Sequence, residues 1–258
     1  MTTAHDPRML TRQADPSEMA LLAAALGDTP ETVIAQHLLT TGACSAWYAG
    51  DVRQPRAVAV QALRFPEEPL LFGETPEVIA RLLPHLRGWT SLSVPIAHAR
   101  GLERPVAVAT GTYSLRTLED VYHVLDGSMP PVEAHPAARL LTPDDAALLE
   151  GMPLDSLDDG TIIAAAIMEG EIVALAHTFA WSARYVDLGV TTHEAWRGQG
   201  LGTSVAALVA RAVRERGLVP VWSCATHNAP SLRIARRLGF RETSRRLYLI
   251  PELPDRES

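Results

Sequence analysis

Thr192-His193-Glu194-Ala195-Trp196-Arg197-Gly198-Gln199-Gly200-Leu201-Gly202 is the segment on which the architecture of this chain turns. Residues 183–190 before it alternate in polarity as a strand does, with Val186, Leu188 and Val190 on one side and Tyr185, Asp187 and Gly189 on the other. After it, residues 201–216 carry Leu201, Val205, Leu208, Val209, Ala212 and Val213 as one apolar helical stripe. Arg211, Arg214 and Arg216 crowd the end of that helix, where the dipole favours cations, and Gly217 stops it. A strand, a glycine-rich loop and a helix start place several backbone N–H groups around one point, because glycine lets the backbone turn and approach closely. The helix start adds unpaired donors and the positive end of a dipole. The result is a site for a pyrophosphate-like anion that needs no lysine.

That last point matters, because all 23 basic residues are arginine. A chain without lysine cannot form a Schiff base, nor the lysine-bearing phosphate loop of the common nucleotide hydrolases. The net charge of −7 and the absence of a broad basic field argue against a nucleic-acid partner. No run of about 18 apolar residues is present, so no membrane span is expected. The polar first dozen residues lack the apolar centre of a signal peptide, and Cys44 and Cys224 are too few for a disulfide framework; the expectation is a cytoplasmic protein with reduced thiols. No histidine pair has a metal-ligand spacing, so no metal is expected.

Outward from the loop, residues 161–168, 171–179 and 183–190 read as strands, the first two joined at Glu169-Gly170. Residues 218–224 form the next strand, 228–238 a helix closed by Gly239-Phe240, and 242–250 a last strand. Thr142-Pro143 opens a helix near the start of this half, and Arg139–Leu141 is short and extended. The first half is mixed as well. Residues 17–26 and 30–40 are helical, the second with Thr29 as N-cap; 57–65 and 70–73 are strands; 77–86 is a helix after Thr75-Pro76; 89–96 and 106–112 are extended, and 118–125 is ambiguous. Three prolines and a glycine in residues 127–136 make a linker, which gives domains of 1–130 and 137–258.

Three ligand readings of the loop stand side by side. A dinucleotide fingerprint needs a glycine where Thr203 stands and a later acidic residue that is missing. A plain tight turn of small residues is the second, and a coenzyme A pyrophosphate site the third. Arg197, Gly200 and Gly202 match the Gln/Arg-x-x-Gly-x-Gly/Ala loop of the GNAT superfamily of N-acetyltransferases, and Asn228-Ala229-Pro230-Ser231 with the closing Gly239-Phe240 resembles that family's second signature. The resemblance covers residues 139–250 and implies an α/β (α+β) fold, with a mixed, mostly antiparallel central sheet flanked by helices. It implies acetyl-CoA as co-substrate: Val190, Thr191 and Thr192 against the pantetheine, the backbone of Gly198, Gln199, Gly200, Leu201, Gly202 and Thr203 around the pyrophosphate, and Asn228 and Ser231 near the thioester. Asn228 is also a good N-cap.

The family's usual tyrosine, seven residues after the asparagine, is Ala235 here, which leaves the proton for the departing thiolate to Ser231, Tyr248 or water. The base for the amine is equally open. Asp187 faces away from the apolar strand face; an ordinary solvated aspartate is the plain alternative, and His193 and Glu194 lie nearby. The activity implied is acetyl transfer to a primary amine of a small molecule or peptide by a monomer or homodimer. A CoA-binding sensor or scaffold without turnover is the rival that the missing tyrosine keeps in view. In element order, the first half resembles a degenerate second copy of the same fold, and its expected task is to wall the acceptor cleft.

Overall fold

The computed structural model describes residues 10–150 and 160–252. Two compact units divide the chain: one up to Val121 together with the residues from Arg245 onward, the other Tyr122–Ser244. This division falls inside a strand rather than in the proline-rich segment, and it returns the last strand to the first unit. The domain limits read from the sequence, 1–130 and 137–258, differ from it on both counts.

In the first unit the order is β1 (Thr11–Gln13), α1 (Met19–Leu26), α2 (Val33–Thr41), β2 (Cys44–Asp51), β3 (Gln54–Ala62), β4 (Leu70–Gly73), α3 (Pro76–Ala80), a 3-10 turn at Leu83–His85, β5 (Leu92–Pro95), α4 (Ile96–Thr110) and β6 (Leu115–Val124). The second holds β7 (Ala138–Leu140), a 3-10 turn at Pro143–Leu149, β8 (Ile163–Met168), β9 (Glu171–Trp181), β10 (Tyr185–Thr192), α5 (Leu201–Glu215), β11 (Val219–Ala225) and α6 (Ala229–Arg237), and β12 (Arg241–Pro251) starts in it and passes back to the first unit at Arg245. Within each unit, strands pair antiparallel three times and then once parallel: β1-β2-β3-β4-β5 and β7-β8-β9-β10-β11. The helix between the parallel partners and the helix after them share a core with the sheet face beneath, α3 with α4 in one unit and α5 with α6 in the other. The same design is therefore written twice.

The closing strands are exchanged. In the first unit β5 is bordered not by β6 but by residues Arg246–Leu249 of β12, antiparallel. In the second, the end of β6 lies beside β11, where Leu125 N–H donates to Pro220 O.

Several local expectations change. The 106–112 segment is not extended: it ends α4, whose buried Ala99, Leu102 and Val106 form a helical stripe. Pro105 inside the helix and Gly101 disguise that stripe in the sequence. Gly101 is there because a Cβ would come within 2.6 Å of Pro76, so α4 meets α3 at that point without a side chain. The cap of α2 is Thr32, not Thr29; its hydroxyl donates to Gly27 O at 2.8 Å. Thr142 does cap, with Asp145 in a reciprocal capping box, but the turn it opens is 3-10. The Glu169-Gly170 turn has positive φ at both residues, as a tight right-twisted hairpin requires. The proline-rich segment is packed on the second unit: Met129 and Val132 touch its core, and His135 N–H donates to Ser204 Oγ in α5.

Arg246 is the largest fully buried side chain of the chain's described residues, 1% exposed. It lies where β4 and β5 part: their parallel pairing is limited to Leu70 with Ser93. The guanidinium donates to Leu71 O at 2.6 Å, Ser93 O at 2.9 Å and Ser93 Oγ at 2.9 Å, and it stacks over Phe72. An arginine thus fills the fork of the first unit. Arg246→Ala would strand those buried carbonyls and open a void, and we expect a loss of about 3 kcal/mol or more, from the cost of breaking buried hydrogen-bonded charges. Arg245→Ala, which loses a half-exposed pair with Glu119, should change stability by less than about 1 kcal/mol. Chemical denaturation of both variants checks this, and equal midpoints would contradict it.

Candidate active site

The parallel pairing of β10 with β11 runs through Tyr185–Val219, Val186–Pro220 and Asp187–Val221, and then stops although both strands continue. On its other side β10 stays paired to β9 as far as Thr192. From Leu188 on, the edge of β10 that faces β11 therefore has no ladder partner among the described residues, and backbone N–H and C=O groups there can pair with an extended amide-bearing ligand. Below this fork lies a groove of about 940 Å³, lined by Val190, Thr191, Thr192, Arg197, Gly198, Gly200, Leu201, Gly202, Thr203, Asn228 and Ser231. Of the residues expected to hold the cofactor, Gln199 alone is absent from that lining. The groove also takes in Trp196, Trp222, Pro230, Arg233, Ile234 and Arg237, which the sequence reading assigned to packing or left unassigned.

The loop has the backbone that its glycines permit. Gly198 and Gly200 have φ near +81° and +83°, with open space where a Cβ would project. Gly202 is required for a different reason: a Cβ there would lie 2.7 Å from Thr192 Oγ1 and 3.4 Å from Ile234 Cδ1. It is the close contact of α5 with both β10 and α6. Gly200 is the N-cap of α5, and the first ladder bond of the helix is Ser204 N–H to Gly200 O. The N–H groups before it are the orphan donors of the helix start, at the positive end of a dipole. Arg197 Nε donates to Thr192 O at 3.3 Å and so ties the loop back to β10. These features fit a diphosphate held by backbone.

Asn228 caps α6 with its side chain, accepting from Ser231 N–H at 3.2 Å. Ser231 Oγ accepts from Trp222 Nε1–H at 2.9 Å, and that indole also packs edge-on to Phe240. The Ser231 proton is thus left to donate into the groove. Ala235 is fully buried in the core, one turn past Ser231. Tyr248 belongs to the first unit, where it pairs with Ser93 on β5; burial pushes its pKa up, and it is not part of the groove.

Asp187 sits at the last rung before the fork, 4% exposed, and accepts a hydrogen bond from Ser223 Oγ at 3.2 Å. It is buried rather than solvated, and it does not line the groove. Next along β10, Gly189 has no room for a Cβ, because the His177 ring from β9 would lie 2.6 Å away. Burial lowers the His177 pKa, which keeps the ring neutral near pH 7. His193 caps a 3-10 turn, Glu194–Trp196, and neither His193 nor Glu194 lines the groove. Among the described residues, no three His, Cys, Asp or Glu side chains are grouped to hold a metal, and no helix is long and apolar enough to cross a membrane.

A strand fork over a glycine-bearing helix start, within a mostly antiparallel sheet flanked by helices, is an arrangement similar to that of GNAT folds. Residues 161–246 match the family model described as GNAT acetyltransferase, a third of the chain that lies almost wholly in the second unit. No curated protein matches the chain in sequence. Solved structures share its fold over nearly the whole length. A GCN5-related N-acetyltransferase-like protein from Streptococcus suis has 20% identity and a TM-score of 0.65, covering 92% of this chain and 99% of its own. A GCN5-related N-acetyltransferase from Sphaerobacter thermophilus has 16% identity, a TM-score of 0.57 and 98% coverage of both chains. A tandem GNAT protein from the clavulanic acid biosynthesis pathway has 13% identity and a TM-score of 0.56, covering 95% of this chain and 100% of its own. The doubled design is thus shared with a protein described as a tandem GNAT.

Proposed function

We propose that the chain is an acetyl-CoA-dependent N-acetyltransferase whose acceptor is a primary amine of a small molecule or peptide. One observation carries this reading: β10 and β11 part after Asp187, and the open strand edge leads straight to the glycine loop in one groove. The edge of β10 from Leu188 to Thr192 would pair with the amides of the pantetheine, and the N–H groups of the loop and the start of α5 would hold the diphosphate. The bound co-substrate supplies a thioester carbonyl, to which the amine nitrogen adds as the carbon–sulfur bond breaks.

Asp187, which accepts a hydrogen bond from Ser223, is our choice for the group that takes the amine proton, with water as the relay because neither side chain lines the groove. Ser231 is our choice for the group that steadies the departing thiolate. Its hydroxyl accepts from the Trp222 indole, which strengthens it as a donor, and solvent then supplies the proton. Ser231→Ala is expected to lower turnover by roughly tenfold, the loss of one hydrogen bond to a developing anion, at unchanged acetyl-CoA affinity.

Thiol release from acetyl-CoA, measured against a panel of polyamines, amino sugars and peptides with free N-termini, tests the assignment. Release that depends on one class of amine supports it. If acetyl-CoA binds yet no amine raises release above hydrolysis, the chain is a CoA-binding sensor instead.

A further inference from the structure

α6 turns Pro230, Arg233, Ile234 and Arg237 toward the groove, an i, i+3, i+4, i+7 face. Ile234 reaches the position of Gly202, so this face meets the first turn of α5, where the loop N–H groups gather. Asn228 and Ser231 lie at the other end of the helix, toward the fork. A ligand that runs from the fork past the loop therefore arrives next at Arg233 and Arg237.

Those two guanidinium groups are unpaired cations that line the groove, unlike the other arginine of the same helix, Arg236. Arg56, Arg139, Arg241 and Arg245 each pair with a carboxylate, Glu74, Asp145, Asp126 and Glu119 respectively. Arg233 and Arg237 have no hydrogen-bond or ion-pair partner among the described residues. Both are exposed, about 6 Å apart along one helix face by the helical rise. Like charges at that spacing repel; the negative end of the helix dipole offsets part of this, and an anion between them would offset the rest. The loop holds its own anion with backbone donors, so these side chains are available for a separate one. Guanidinium forks match phosphate oxygens in pairs.

We propose that Arg233 and Arg237 form a second anion subsite, beyond the glycine loop, that takes the phosphomonoester on the ribose of coenzyme A. The inference rests on the proposed cofactor reading and adds a specificity to it: the groove distinguishes coenzyme A from its dephospho form. That phosphate carries close to two charges at neutral pH, so it gains most from a pair of arginines.

Calorimetry with coenzyme A and with dephospho-coenzyme A tests it, on the full chain and on Arg233→Ala, Arg237→Ala and the double variant. Both residues are exposed on a helix, so the fold should survive, and thermal melts verify that. The wild type is expected to prefer coenzyme A by roughly 10–100-fold, the range for one or two charge-assisted hydrogen bonds. The double variant should lose that preference by weakening coenzyme A binding alone, with dephospho-coenzyme A changed by less than about threefold, since its remaining contacts are untouched. Raising the salt concentration should narrow the preference of the wild type. Equal weakening of both ligands would move the arginines to the diphosphate and overturn the proposal. Equal affinity of the wild type for both ligands overturns it while leaving the cofactor reading intact, and binding of neither overturns both.

Discussion

A Gly200→Glu chain should fold and fail to bind acetyl-CoA. Position 200 has φ of +83°, a conformation that costs a residue with a Cβ about 1–2 kcal/mol. The helix it caps is anchored by ten buried residues, so the fold has ample support. No atom lies within 4 Å of the place a Cβ would take, and that space belongs to the groove. A glutamate there would fill the proposed seat of the diphosphate and set a negative charge against it. Affinity should fall by more than about 100-fold, because strain, steric exclusion and like charge act together. Gly200→Ala lacks the charge and should lose at most roughly tenfold, to the extent that the free loop relaxes out of the strained backbone and must return to it on binding. Calorimetry with acetyl-CoA on variants that melt cooperatively gives the answer, and undiminished affinity in Gly200→Glu would sink the pyrophosphate assignment.

The second large effect concerns proton transfer. Asp187→Asn keeps the shape of a buried side chain and an oxygen for Ser223 to donate to, so both the fold and acetyl-CoA affinity should persist. What it removes is the ability to take up a proton. If Asp187 serves the amine, turnover should drop by roughly 10²–10⁴-fold near neutral pH, the range for one positioned acid–base group. The deficit should shrink as pH rises, because the amine then arrives already neutral. pH–rate profiles of both chains decide the matter. Rates that agree within a few-fold at pH 7 would make Asp187 a buried structural partner of Ser223 and nothing more.

How much of this was legible beforehand depended on how local the cause was. Gly198, Gly200 and Asn228 announce themselves, because a positive φ beside a helix start and a side-chain cap are settled within a few residues of chain. The alternation that sends Val186 and Leu188 to the core is equally local, though burial of Asp187 on the opposite face was not foreseen, because it depends on Ser223 in the neighbouring strand. α4 was hidden because Gly101 is explained only by its contact with Pro76. Arg233 and Arg237 lay in plain view at helical spacing, yet nothing in the sequence says which face of α6 meets the groove. Arg246 was beyond reach: its partners Ser93 and Leu71 are 153 and 175 residues away. A charged residue in a strand reads as exposed until the fork that holds it is seen.

The exchanged closing strands also bear on how the protein is made. The first unit begins to be translated before the second, yet β5 awaits residues Arg246–Leu249, which follow the whole of the second unit in the chain. More than a hundred residues of the second unit intervene, several seconds of synthesis at roughly 5–20 residues per second. Throughout that interval the nascent first unit carries an open strand edge and a fork without its arginine, the kind of exposed edge that invites wrong pairing. Folding of this half therefore waits for the synthesis of the second unit. A ribosome stalled before Arg245 should present a protease-sensitive first unit, however long its stay on the ribosome.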